Sequence, residues 1–121
     1  MRIDSLITFI HDIKKRNIMK YLLSVRMSVE KGNAAIKDPQ FGHKINEIIT
    51  GLKADAVYFS TIRGQRGFFA ILDINDPSEI PLLCEPLFLW LNADVELNPL
   101  MKPEDLAKAG PGIGAAVQKW G

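Results

Sequence analysis

The stretch from Ala54 to Ile74 constrains the fold of this chain more than any other segment. Its two arms, residues 57–62 and 68–72, are rich in aromatic and β-branched side chains, which favour strands. The residues between them, 63–67, read Arg-Gly-Gln-Arg-Gly, and glycine permits the positive backbone angles that a tight turn needs. The stretch is therefore predicted to be a β-hairpin that the remaining segments cover or extend.

Two further segments show the alternation of apolar and polar residues that is typical of a half-buried strand. Residues 20–27 place Tyr21, Leu23, Val25 and Met27 on one face. Residues 94–100 alternate in the same way, and Pro99 suits an edge strand because proline has no backbone donor for a second neighbour.

Two helices are predicted between these strands. The first carries apolar residues three and four positions apart from Phe41 to Leu52. The second opens at Asp76-Pro77-Ser78-Glu79, where Asp76 is the predicted cap, Pro77 the first helical residue and Glu79 the capping-box acid. Residues 28–40 are predicted to be a connection that can include a helical turn near 34–36.

The resulting order is strand, helix, strand, strand, helix, strand. It predicts an α+β, ferredoxin-like βαββαβ fold with a four-stranded antiparallel sheet and helices on one face. Residues 1–18 read as an appended amphipathic helix. Residues 19–121 read as a single domain with a C-terminal helical extension from about Pro103, broken at Gly110-Pro111-Gly112.

Composition excludes several classes of function. With 15 basic and 14 acidic residues the net charge is +1, so neither nucleic acid nor an anionic membrane is an expected partner. His11, His43 and Cys84 lack metal-ligand spacing, and no cofactor fingerprint is present, so no cofactor is expected. The single cysteine and the absence of a convincing targeting or spanning segment make the cytoplasm the expected location.

The sheet face that the two helices leave uncovered is the most informative surface. It is too apolar for water and too polar for a core, which predicts an association surface and hence a homodimer with paired sheets. The predicted members of this open face are Leu22, Ser24, Arg26, Tyr58, Ser60, Phe69, Ile71, Glu96 and Asn98.

Several short segments resemble the dimeric α/β-barrel superfamily, nearest to its muconolactone isomerase-like branch. They are Val25-Arg26-Met27, residues 73–78, and Pro86-Leu87-Phe88 leading to Val95-Glu96, within a pattern that covers about residues 20–100. The resemblance implies paired ferredoxin-like subunits whose sheets enclose a small-molecule cavity. Members of the family include cofactor-free isomerases and monooxygenases, haem-binding proteins and proteins of unknown reaction.

Arg26 and Glu96 are the candidate catalytic residues, because the two strands that carry them are neighbours in this topology. One interpretation is a cross-strand ion pair that sets the register. In the other, Arg26 holds a substrate carboxylate while Glu96 moves a proton. Tyr58 is interpreted either as a packed interface aromatic or as a hydrogen-bond donor to a ligand. The other candidate ligand-binding residues are Ser24, Ser60 and Asn98.

Two functional hypotheses follow. The protein is either a homodimer that binds a small, apolar, acidic compound between its sheets, and isomerises or oxidises it without a cofactor, or a non-catalytic module for assembly or partner binding. The sequence lacks a nucleophile–base pair and a metal set, so it leaves open whether the protein is an enzyme.

Overall fold

The computed structural model describes residues 2–8 and 19–121, which contain four strands and several helices. The strands are β1 (Met19–Met27), β2 (Ala56–Ile62), β3 (Gln65–Ile74) and β4 (Ala93–Pro99). The helices are α1 (Val29–Lys37), α2 (Phe41–Leu52), α3 (Glu79–Leu91), α4 (Pro103–Lys108) and α5 (Gly110–Trp120). Residues 3–8 are helical and exposed, and the rest of the helix predicted over 1–18 lies outside the described residues.

The four strands form one antiparallel sheet in the order β2-β3-β1-β4. This is the strand order of a ferredoxin-like fold, so the predicted fold class is confirmed. β4 is an edge strand, as the proline at its end required.

The β2–β3 hairpin turns on two residues only. Arg63 and Gly64 have φ values of 53° and 76°, the positive pair that a type I′ turn requires. The turn predicted over 63–67 was therefore too long, since β3 already begins at Gln65. Gly67 serves a different purpose, because a Cβ atom there would clash with the carbonyl oxygen of Val25 in the neighbouring strand.

Helix α1 occupies most of the segment that was predicted to be a connection. Ser28 caps it, because the Ser28 hydroxyl accepts a hydrogen bond of 3.1 Å from the Lys31 N–H. Gly32 and Asn33 lower the intrinsic helix propensity of this segment, which is why the pattern was missed.

Helix α3 begins two residues later than predicted. The carboxylate of Glu79 accepts hydrogen bonds from the backbone N–H groups of Asn75, at 2.7 Å, and Asp76, at 3.2 Å. Asp76 in turn accepts from the N–H of Ser78 at 3.4 Å, so it orders the entry to the helix rather than capping it directly. Glu79 is therefore the residue that fixes where the chain enters α3.

The core lies between one face of the sheet and helices α1, α2 and α3. Among the described residues, every buried side chain of this core is apolar, and none of them is polar or charged. The core residues of the strands and helices are Leu23, Val25, Met27, Ile48, Leu52, Phe68, Ala70, Leu72, Ile74, Cys84, Leu87, Leu91 and Ala93. Because these helices cover one face of the sheet, the opposite face carries no helix of the described residues.

The C-terminal arm, residues 101–121, begins as predicted with a helix at Pro103. A turn at Ala109 separates α4 from α5, close to the predicted break. All of its residues are exposed, so α4 and α5 do not contribute to the core.

Two valines provide a matched test of where the core lies. Val25 in β1 is 1% exposed and Val29 in α1 is 55% exposed. Val25→Ala is expected to lower the free energy of unfolding by about 2 kcal/mol, since two buried methyl groups are lost. Val29→Ala should change it by no more than about 0.5 kcal/mol. Urea unfolding of both variants checks this, and equal effects would contradict the described core.

Candidate functional site

The open face has the composition that the sequence predicts. In the strand register, Ser24 lies opposite Phe69 on one side and Glu96 on the other. Leu22 lies opposite Ile71 and Asn98 in the same way. Because residues directly opposite each other point to the same face, all these side chains share the face that lacks helices.

A small polar crevice of about 140 Å³ lies at the hairpin end of this face. It brings together three of the predicted site residues, Ser24, Arg26 and Glu96, and leaves Tyr58 and Asn98 outside. Its full lining is Ser24, Arg26, Ile62, Arg63, Phe69, Asp94 and Glu96.

The ion pairs in the polar crevice differ from the predicted one. Arg26 lies directly opposite Asp94, with its Nη2 atom 3.8 Å from Asp94 Oδ2. Glu96 faces Arg63 instead, at 4.0 Å between Arg63 Nη2 and Glu96 Oε1. The prediction of a direct Arg26–Glu96 ion pair was therefore wrong. Both residues nevertheless line the same crevice, on adjacent strands. Two guanidinium groups and two carboxylates make this crevice electrically balanced.

A second concavity lies on the other side of the sheet, between the β2–β3 hairpin and helices α1 and α2. This helix-side cavity has a volume of about 250 Å³ and is almost entirely apolar. Phe59 and Phe68 form one wall, with ring centroids 5.8 Å apart and planes inclined by 56°. Ser60 also contributes to the wall, although its register places it on the open face. The other lining residues are Val25, Met27, Ile36, Phe41, Ile45, Thr61, Arg66, Gly67 and Leu91.

Among the described residues that line the helix-side cavity, Arg66 is the one that carries a charge. Its Nη1 atom donates a hydrogen bond of 2.9 Å to Asn33 Oδ1 in α1. The guanidinium also lies against Gly32, where an added Cβ would come within 2.9 Å of Nη1. Among the ion pairs of residues 2–8 and 19–121, none involves Arg66. Arg66 is exposed, and its positive charge lies beside an apolar cavity without an ion pair to any carboxylate of the described residues.

Arg66 is exposed, as expected of a charge near a hairpin tip. The strand register gives it a defined position in β3, because Arg66 pairs with Thr61 and precedes Phe68 by two residues. Alternation puts positions 66 and 68 on the same face of β3, which is the face covered by helices. That alternation was the available signal for a functional residue here.

Within the described ranges, no cluster of three or more His, Cys, Asp or Glu side chains is arranged to hold a metal ion. No helix in these same ranges is both long and apolar enough to cross a membrane. The chain matches no protein-family model, no curated protein and no solved structure.

Proposed function

We propose that this protein binds a small apolar monocarboxylate in its helix-side cavity. The observation that carries the proposal is the guanidinium of Arg66, which forms no ion pair with the described residues and lies at the side of a largely apolar space. Binding sites for small molecules combine an apolar lining with a few polar groups that fix the orientation of the ligand. A carboxylate fits the guanidinium because it can accept two parallel charge-assisted hydrogen bonds.

The volume of the helix-side cavity limits the size of the ligand. An engineered apolar cavity of about 150 Å³ in another protein takes up benzene. At about 250 Å³, the helix-side cavity has room for one aromatic ring, or a branched aliphatic chain of similar size, with a short acidic substituent. The apolar part would pack between the Phe59–Phe68 wall and Ile45, with the carboxylate directed to Arg66.

The polar crevice on the open face is less suited to an acidic ligand. Its two guanidinium groups already face carboxylates, at 3.8 Å for Arg26 and 4.0 Å for Arg63. A ligand carboxylate would have to displace Asp94 or Glu96 and would then lie near a repelling charge. The apolar acidic ligand that the sequence predicts therefore fits better on the helix side of the sheet than between paired sheets.

A second proposal concerns the open face itself, which we infer pairs with the open face of a second copy. Leu22, Phe69 and Ile71 are only half-buried there, and Tyr58 is 65% exposed. A contiguous apolar patch with a polar border is typical of an association surface, and two-fold pairing is the commonest way to cover it. Any catalytic role of Arg26 and Glu96 depends on this pairing, because it would enclose the polar crevice. Without such chemistry the pairing serves assembly alone.

The ligand proposal is tested by replacing the guanidinium without altering the apolar lining. Phenylacetate is expected to bind the wild-type protein, and Arg66→Gln should weaken its binding by about tenfold, since a hydrogen bond to a charged group is worth about 1.5–3 kcal/mol. 2-Phenylethanol, which has the same ring and no charge, should bind both proteins with similar affinity. NMR titrations of the methyl groups measure all four affinities.

Two variants serve as controls for this titration. Arg63→Gln removes a guanidinium from the polar crevice and should leave the affinity for phenylacetate unchanged. Gly32→Ala keeps the charge of Arg66 but displaces its guanidinium, so it should weaken phenylacetate binding. Equal losses in Arg63→Gln and Arg66→Gln, or no saturable binding of phenylacetate to the wild-type protein, would refute the proposed site.

The dimer proposal is tested with two phenylalanines on opposite sides of the sheet. By light scattering at micromolar concentration, the wild-type protein should have about twice the 13.5 kDa mass of one chain. Phe69→Asp places a charge on the open face and should lower the average mass at a given concentration, whereas Phe59→Asp should leave the mass unchanged. A monomeric wild-type protein, or a mass that Phe69→Asp and Phe59→Asp leave equally unchanged, is the outcome that rules out pairing through the open face.

A further inference from the structure

The C-terminal arm presents apolar side chains that no other part of residues 2–8 and 19–121 covers. Ile113, Val117 and Trp120 recur at intervals of four and three, which places them on one side of α5, and Leu106 adds an apolar side chain in α4. All four are exposed, and Trp120 reaches 78%. Short helices gain most of their stability from packing an amphipathic face, so these side chains require a complementary surface.

A complementary surface exists on the outer side of the helical layer. A groove of about 340 Å³ runs between α2 and α3, and its floor includes Ile48 and Leu52. Leu82 and Leu89 line it with 76% and 73% of their surface exposed, and Trp90 lines it with 46% exposed. The α2–α3 groove is thus a largely apolar site with no occupant from residues 2–8 and 19–121.

We infer that the C-terminal arm of one chain docks in the α2–α3 groove of a second copy of this chain. The arm is anchored at its start, because the Leu100 N–H donates to the carbonyl oxygen of Lys20 at 2.8 Å and extends the edge of the sheet. Helix α4 begins only three residues later, at Pro103. Three residues reach at most about 11 Å.

In the structure the arm does not occupy the groove of its own chain, because residues 101–121 are all exposed and Leu82 and Leu89 of the groove are exposed as well. The groove of a second copy can meet the arm without the limit that the short connection sets. A short connection followed by an exposed element is also the arrangement from which domain swapping arises.

Charge favours the same pairing. The last turns of α4 and α5 carry Lys108 and Lys119, and α5 has no acidic residue. The groove is lined by Glu47 and Glu85, and α3 has no basic residue. Charges of opposite sign at the border of an apolar interface speed association and fix its orientation.

Cysteine cross-linking between two differently tagged proteins tests the inference directly. One protein carries Val117→Cys in the arm and the other Leu89→Cys in the groove, both at exposed positions. The native Cys84 is buried, and burial raises the pKa of its thiol, so it does not compete under mild oxidation. The expected product of the mixture is a disulfide-linked heterodimer. Adding Ile113→Asp to the arm should cause the loss of this product.

Three outcomes would overturn the inference. A Val117→Cys protein that couples instead to Ser24→Cys would place the arm on the open face. If an Ile7→Cys protein couples to Leu89→Cys more readily than the Val117→Cys protein does, the N-terminal helical residues 3–8 occupy the groove. A disulfide that forms only within a chain carrying both Val117→Cys and Leu89→Cys would show docking on the same chain. None of these results depends on ligand binding in the helix-side cavity.

Discussion

The antiparallel register of β1 between β3 and β4 is the constraint on which the rest of the structure depends. It buries Leu23 and Val25 under the helices while Ser24 and Arg26 point to the open face. Because successive side chains in a strand alternate, a slip of one residue would move every apolar side chain of β1 to the wrong face. The burial of β1 therefore fixes both surfaces of the sheet, and with them the helix-side cavity and the polar crevice.

The helix-side cavity follows from an incomplete cover on one face of the sheet. The hairpin continues past the helices that pack on it, so Phe59, on the edge strand, stays 67% exposed although it faces the same side as the buried Phe68. The same continuation brings Arg66 against α1, where Gly32 leaves room for the guanidinium and Asn33 accepts its hydrogen bond. The apolar lining and the oriented positive charge thus arise from one local feature, a β2–β3 hairpin that extends beyond the helices packed on it. The balanced charges of the polar crevice on the opposite face lack this combination.

The sequence predicts the fold well because strand order and face depend on alternation, which is local. It predicts the site less well because contacts between strands depend on the register. Arg26 and Glu96 were placed correctly on adjacent strands, yet the register offsets them by two residues and pairs Arg26 with Asp94. Arg66 was missed because the turn was predicted to extend to position 67, whereas the two-residue turn puts Arg66 inside β3. An error in the length of one turn thus concealed the charged residue of the cavity.

The most direct test of the central claim is to locate a bound ligand on one face of the sheet. Intermolecular nuclear Overhauser effects between the ring protons of phenylacetate and assigned protein methyl groups would provide this location. We expect contacts with Met27, Ile36 and Ile45, which line the helix-side cavity. Contacts with Leu22 and Ile71 on the open face would contradict it.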